Sequence, residues 1–165
     1  MSELIKVETE SGYDFYVDSD TGAIIHTLKI KLARADSRPP KVATVGSAGM
    51  DLFLDEDVVI FPDQLPKLVG FGIHAEIPPG YVGIVALRSG INDLTMINGV
   101  GIIDSDYRGE IKLKLSATKH VVTHVRGERL AQMVVIPYLQ CGLEIVEELG
   151  ATQRGQGGFG STGTN

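Results

Sequence analysis

The apolar residues of this chain come in short β-branched or alternating runs, with no long helical pattern among them. They are AIIHTLKIKLA (23–33), MDLFL (50–54), VVIF (58–61), KLVGFGIHAEI (67–77), YVGIVAL (81–87), EIKLKLSA (110–117), VVTHV (121–125), LAQMVVIPYL (130–139) and LEIVEEL (143–149). Turn signals such as DEDV, FPDQ, IPPG and DYRG separate them about every ten residues, the spacing of an all-β sandwich or barrel. EIKLKL alternates strictly, which buries one face and presents Glu110, Lys112 and Lys114 on the other. The one short helix expected is INDLTMI (91–97), one or two turns after Gly90.

With 165 residues, one domain with a real core is the expectation. A net charge of −6 argues against a surface that as a whole attracts nucleic acid or anionic lipid, so neither is expected as a direct partner. The acidity is local: residues 1–26 carry six acids and one base, and the remaining 139 residues hold 15 acids and 14 bases. The single cysteine, Cys141, excludes an intramolecular disulfide framework and multi-cysteine zinc motifs, and fits a reducing compartment. The N-terminus lacks the basic start and apolar run of a signal peptide, and no apolar stretch approaches a membrane span. A cytoplasmic location is expected.

Three segments follow. Residues 1–26 form an acidic extension whose runs LIKVET and YDFYV and turn DSDTG (18–22) predict a β-hairpin over 13–26. Residues 27–149 form the β body. Residues 150–165, GATQRGQGGFGSTGTN, form a Gly-rich tail that lacks the apolar surface to order itself.

Four constellations carry chemistry. The tail sets Arg154, Phe159, Ser161 and Thr162 among glycines. That is either a solubilising terminus or a strip able to close over a nucleotide with backbone N–H groups, one charge and one stacking ring. No Lys follows the glycines, so it is not a Walker P-loop. GVGIIDSDYRGE (99–110) places Asp104 and Asp106 two apart beside Tyr107; such a pair serves equally as turn chemistry or as a general base. LRSGIND (87–93) ends a strand with Arg88, Ser89 and Gly90, donors suited to one phosphate, although Arg-Ser-Gly alone is a common loop. In GERLAQMVV (127–135), Gln132 interrupts an apolar run and must be satisfied internally or face a site. His120 and His124 have His-x3-His spacing, but in a β segment with no third ligand zinc is not expected.

Taken in order, SAGMDLFL (47–54), LRSG (87–90), NGVGIIDSDYRGEIKL (98–113), GERLAQMVV (127–135) and RGQGGFGSTG (154–163) resemble the five ordered motifs of the trimeric dUTP pyrophosphatase (dUTPase) family, in its phage or bacterial form. The resemblance spans 27–165. It implies an all-β distorted jelly-roll or β-barrel, a β-clip, assembled as a homotrimer with active sites shared between subunits. The implied reaction is hydrolysis of dUTP to dUMP and pyrophosphate by water attack on the α-phosphate, with Mg2+ carried mainly by the substrate phosphates. That reaction limits uracil incorporation into DNA and supplies dUMP for dTTP synthesis. By the same resemblance Asp104 is the general base and Tyr107 lies under the deoxyribose, where it excludes a 2′-hydroxyl. Asn98, Gly101, Ile102 and Ile103 read uracil through the backbone. Arg88, Ser89 and Gly90 hold phosphates, and Gln132 and Lys112 are further substrate contacts. Asp51 acts through metal-bound water or by orienting Arg88. Arg154, Phe159, Gly160 and Ser161 close as a lid, with Phe159 on the base.

Two departures stand out. Leu87 replaces the proline often found before RSG, and the run from Gly90 to Asn98 is short, so the helix after RSG is expected to be truncated. Two alternatives remain at this stage. One is dCTP deaminase, a relative on the same fold, disfavoured because Lys112 and Lys114 stand on the face where that family carries its catalytic Glu. The other is a regulatory or protein-binding role through residues 1–26.

Overall fold

In the computed structural model the described residues, 3–9 and 14–157, form fifteen β-strands and no helix. None of their elements is a helix long and apolar enough to cross a membrane. The chain opens with β1 (Leu4–Val7), β2 (Phe15–Asp18) and β3 (Ile24–His26), an antiparallel sheet of its own with Ile5 opposite Val17 and Val17 opposite Ile24. The turn between β2 and β3 closes on Asp18, whose carboxylate accepts the N–H groups of Asp20 and Thr21 at 3.0 and 2.9 Å. This is the Asx geometry that DSDTG favours. His26 ties the sheet to the body: its ring lies 4.9 Å from that of Tyr81, whose hydroxyl is 2.9 Å from His26 Nε2.

The body continues through β4 (Lys29–Leu32), β5 (Lys41–Val42), β6 (Met50–Phe53), β7 (Val58–Ile60), β8 (Lys67–Gly70), β9 (Ile73–Glu76) and β10 (Tyr81–Leu87). It ends with β11 (Leu94–Met96), β12 (Gly101–Ile103), β13 (Lys112–Ala117), β14 (Val122–His124) and β15 (Arg129–Pro137). Its largest sheet has the order β12-β10-β15-β6-β5; β11-β13-β8 forms a second, and β14-β7 and β4-β9 are two-stranded. All pairings are antiparallel. Inward-facing residues of these sheets, among them Leu52, Phe71, Val85, Leu115, Leu130 and Met133, build one core. The strict alternation of β13 is realised: Leu113 and Leu115 are buried while Lys112 and Lys114 are exposed.

Two sequence expectations fail. INDLTMI is not helical; Leu94–Met96 is β11, with Leu94 opposite Ala117 on β13. Burial there alternates from Leu94 inward to Thr95 outward. The ladder to β13 satisfies backbone groups that one or two isolated helical turns would leave marginal. LEIVEEL (143–149) joins no strand, and Leu143, Ile145 and Leu149 are 99%, 101% and 88% exposed. A strand needs a partner, and among the described residues this segment has none.

The core carries the stability. Leu115 is fully buried between the sheets, and Leu115→Ala should cost about 2–5 kcal/mol in denaturant unfolding. Val45→Ala, at an exposed loop, should change stability by no more than about 0.5 kcal/mol.

Candidate active site

The motif around Asp104 forms one wall of a cleft of ≈ 560 Å³ beside the edge strand β12. β10 and β12 pair with Gly83 opposite Ile103, Ile84 opposite Ile102 and Val85 opposite Gly101. The connection returns through a tight turn in which the Val100 N–H donates to the Asn98 carbonyl at 2.8 Å and Gly99 takes φ 73. An L side chain is strained at that φ, which accounts for the glycine. On the outer edge of β12 no strand among the described residues takes up the backbone, so its N–H and C=O groups are available to a ligand. Val100 and Ile102 stand exposed at the mouth.

Asp104 follows β12 and is exposed to the cleft. Its carbonyl accepts the Tyr107 N–H at 3.1 Å, closing a turn that the Arg108 guanidinium braces by donating to the Ser105 carbonyl at 2.6 Å. The Tyr107 ring lies over Gly109, where any Cβ would collide with it, and its hydroxyl donates to the Glu110 carbonyl at 3.1 Å. Asn98, Gly101, Ile102, Ile103, Asp104, Tyr107 and Lys112 therefore converge on one cleft, as the sequence pattern groups them.

Arg88, Ser89, Gln132 and Asp51 gather in another cleft, of ≈ 430 Å³. Arg88 leaves the end of β10, where its N–H continues the ladder to the Leu130 carbonyl at 3.1 Å. Gln132 on β15 lies between Ala86 of β10 and Asp51 of β6. Asp51 is 7% exposed and is held by two guanidiniums, Arg88 Nε at 2.9 Å from Oδ1 and Arg129 Nη1 at 3.1 Å from Oδ2. Burial leaves this carboxylate dependent on its partners, and the pairings fix both arginines. Gly90 is exposed next to Ser89. The two clefts share no lining residue.

The described residues do not fit a metal held by protein alone. No three His, Cys, Asp or Glu side chains among them converge, and Asp51 directs both oxygens to guanidiniums. His124 instead sets Nδ1 2.7 Å from Glu128, and His120 is exposed. Arg154 lines neither cleft; its Nε donates to the Gly157 carbonyl at 2.9 Å. Phe159, Gly160 and Ser161 lie outside the described residues.

Two participants escape the motif reading. Arg129 stands out in sequence only as part of GERLAQ, yet it shares Asp51 with Arg88. Glu110 reads as one of several outward strand positions, yet it lines the cleft and forms an ion pair of 2.8 Å with Lys112. That carboxylate raises the Lys112 pKa above its ordinary value, so the ammonium is firmly protonated. The available signal was spacing, since residues two apart on a strand share a face.

A deoxyuridine 5'-triphosphate nucleotidohydrolase of Hydrogenobaculum sp. (strain Y04AAS1) is 44% identical over 141 residues, covering 82% of this chain and 97% of that protein. The protein of the same name from Anaeromyxobacter sp. (strain Fw109-5) is 45% identical over 144 residues, 83% of this chain and 97% of its own. Among solved structures, a dUTPase mutant of Staphylococcus bacteriophage 80alpha with dUpNHpp superposes with TM-score 0.77 at 27% identity, covering 84% of this chain and 99% of that one. A dUTPase mutant from phage phi11 of S. aureus, described with a structural Mg(II) ion, gives TM-score 0.66 at 25% identity over 74% and 97%. The dUTPase family model matches residues 35–163, and with the jelly-roll-like β fold shared by these neighbours the chain belongs to the dUTPase family.

Proposed function

We propose that this protein hydrolyses dUTP to dUMP and pyrophosphate in a homotrimer whose active sites each combine the Asp104 cleft of one subunit with the Arg88 cleft of another. The observation that carries the reading is the convergence of Asp104, Tyr107 and the free backbone edge of β12 on one cleft. The backbone edge presents fixed donors and acceptors to uracil. Cytosine, with the reverse pattern, would leave buried groups unpaired at about 1–3 kcal/mol each. The Tyr107 ring, seated on Gly109, packs against the sugar where a 2′-hydroxyl would clash. Asp104 orients a water in line with the α-phosphorus and takes its proton. Lys112 adds a charged contact.

Arg88, Ser89 and Gly90 bind phosphate oxygens, the guanidinium by a planar fork aligned by Asp51. Gln132 donates beside them. Mg2+ enters as part of the substrate, on the triphosphate, consistent with an Asp51 already engaged by arginine. Arg154, Phe159, Gly160 and Ser161 close over the loaded site, the ring stacking on uracil. The trimer draws support from the outer face of the main sheet, where Ile84 lies opposite Val134 and Ile102 and none of the three is fully buried. The exposed Leu143 and Ile145 are further apolar surface for a neighbouring subunit. The deaminase alternative is not favoured, since the outward face of β13 offers Lys112 and Lys114.

Pyrophosphate release should be rapid with dUTP and roughly 10- to 100-fold slower in kcat/KM with dTTP, whose methyl overfills the closed pocket. Equal turnover of the two sinks the backbone-readout model. Asp104→Asn should lower kcat roughly 100- to 10,000-fold while a titration with dUpNHpp still shows binding. Truncation after Gln153 should cut kcat/KM by roughly 10- to 100-fold through lost stacking and leave thermal unfolding unchanged; an undiminished rate rejects the lid.

A further inference from the structure

We propose that Glu110 is a positioning residue: its carboxylate, anchored on the backbone of the β8–β9 connection, holds the Lys112 ammonium against the wall of the Asp104 cleft. The inference rests on reading that cleft as the nucleoside site. Glu110 follows the Tyr107 turn and is half-buried. Its Oε1 accepts the Gly72 N–H at 3.1 Å. A Cβ on Gly70 would strike the same oxygen, so the carboxylate lies flat against the end of β8 in a slot that only glycine leaves open. Its Oε2 then stands 2.8 Å from Lys112 Nζ.

Lys112 needs such an anchor. Its flexible stem makes one fixed placement entropically costly, and its side chain is 39% exposed. Glu110 and Lys112 also line another hollow, of ≈ 210 Å³, together with Arg34, Asp55 and Glu56. Asp55 is committed to Arg34 at 2.8 Å. Glu56 is exposed, and its charge also acts on Lys112. Lys112 borders both hollows, so its ion pair with Glu110 decides the choice: that pair keeps the ammonium beside the cleft, and without it Glu56 competes for the lysine from the second hollow. The Tyr107 hydroxyl bonds to the backbone carbonyl of Glu110, so a side-chain substitution leaves the ring's support in place.

The test is a double-mutant cycle on dUTP turnover with Glu110→Gln, Lys112→Met and the pair. Glutamine keeps an oxygen for the Gly72 N–H but turns a donor toward the ammonium. Glu110→Gln should raise KM roughly 3- to 10-fold with kcat within about 2-fold, and should add nothing in the Lys112→Met background. Glu110→Asp, which keeps the charge and loses reach, should fall between and also serves if the glutamine variant does not fold. A KM that falls in Glu110→Gln shows simple charge repulsion of the substrate and overturns the proposal. An equal rise in both lysine backgrounds shows a general structural role and overturns it as well. If Lys112→Met alone leaves KM unchanged, the lysine contact and this proposal fall together, whereas a wild-type protein inert toward dUTP refutes the wider reading of function.

Discussion

Strand β10 is hydrogen-bonded along both edges, and the arrangement of the site depends on that constraint. Seven residue pairs join it to β15, from Tyr81 opposite Pro137 to Leu87 opposite Ala131, and three more join it to β12. A strand locked on both sides cannot slip by one residue without turning its core-facing side chains outward. Val85, between Ile84 and Ala86, is fully buried, so the register is specified by the core. From that register follow the backbone edge of β12 on one side and Gln132 and Asp51 on the other, while Arg88 emerges at the strand's end. The strand register thus sets where the turns bearing Asp104 and Tyr107 and the end bearing Arg88 emerge.

Charge is distributed to match. The body beyond residue 26 is nearly neutral, with 15 acids against 14 bases, and the acid at the Arg88 cleft, Asp51, faces two guanidiniums. An anionic ligand therefore meets arginines already ordered by a buried partner, not a free carboxylate. The acidic surplus sits in residues 1–26, before the family match at 35–163. Those residues include β1, β2 and β3, a sheet separate from those of the body. The overall acidity thus does not oppose a triphosphate ligand.

Much of this was legible in the sequence because β structure writes itself in period two. The alternation of EIKLKL gave the burial of β13 residue by residue, and the turn at DSDTG closed on Asp18 as its side-chain chemistry requires. Within the third motif, Asn98, Gly101, Ile102, Ile103, Asp104, Tyr107 and Lys112 line one cleft. What was not legible was set by partners distant in sequence. INDLTMI has a short apolar pattern that fits helix or strand alike, and the edge of β13 decided it. LEIVEEL has strand propensity but pairs with no strand among the described residues. Glu110 is marked only by its two-residue spacing to Lys112 and Arg129 only by its place in GERLAQ; the contacts that single them out lie with Gly72 and Asp51, 38 and 78 residues away.

We propose that neither cleft is sufficient alone and that a working site joins the Asp104 cleft of one subunit to the Arg88 cleft of another. Mixing two inactive variants, Asp104→Asn and Arg88→Ala, after co-refolding tests it most directly. In a closed ring of randomly mixed subunits, about a quarter of the sites receive an intact Asp104 cleft from one chain and an intact Arg88 cleft from the next. The mixture should recover about that fraction of wild-type dUTP hydrolysis, whereas each variant alone is inactive. A mixture as inactive as its components would contradict it, because every site would then draw both clefts from a single chain.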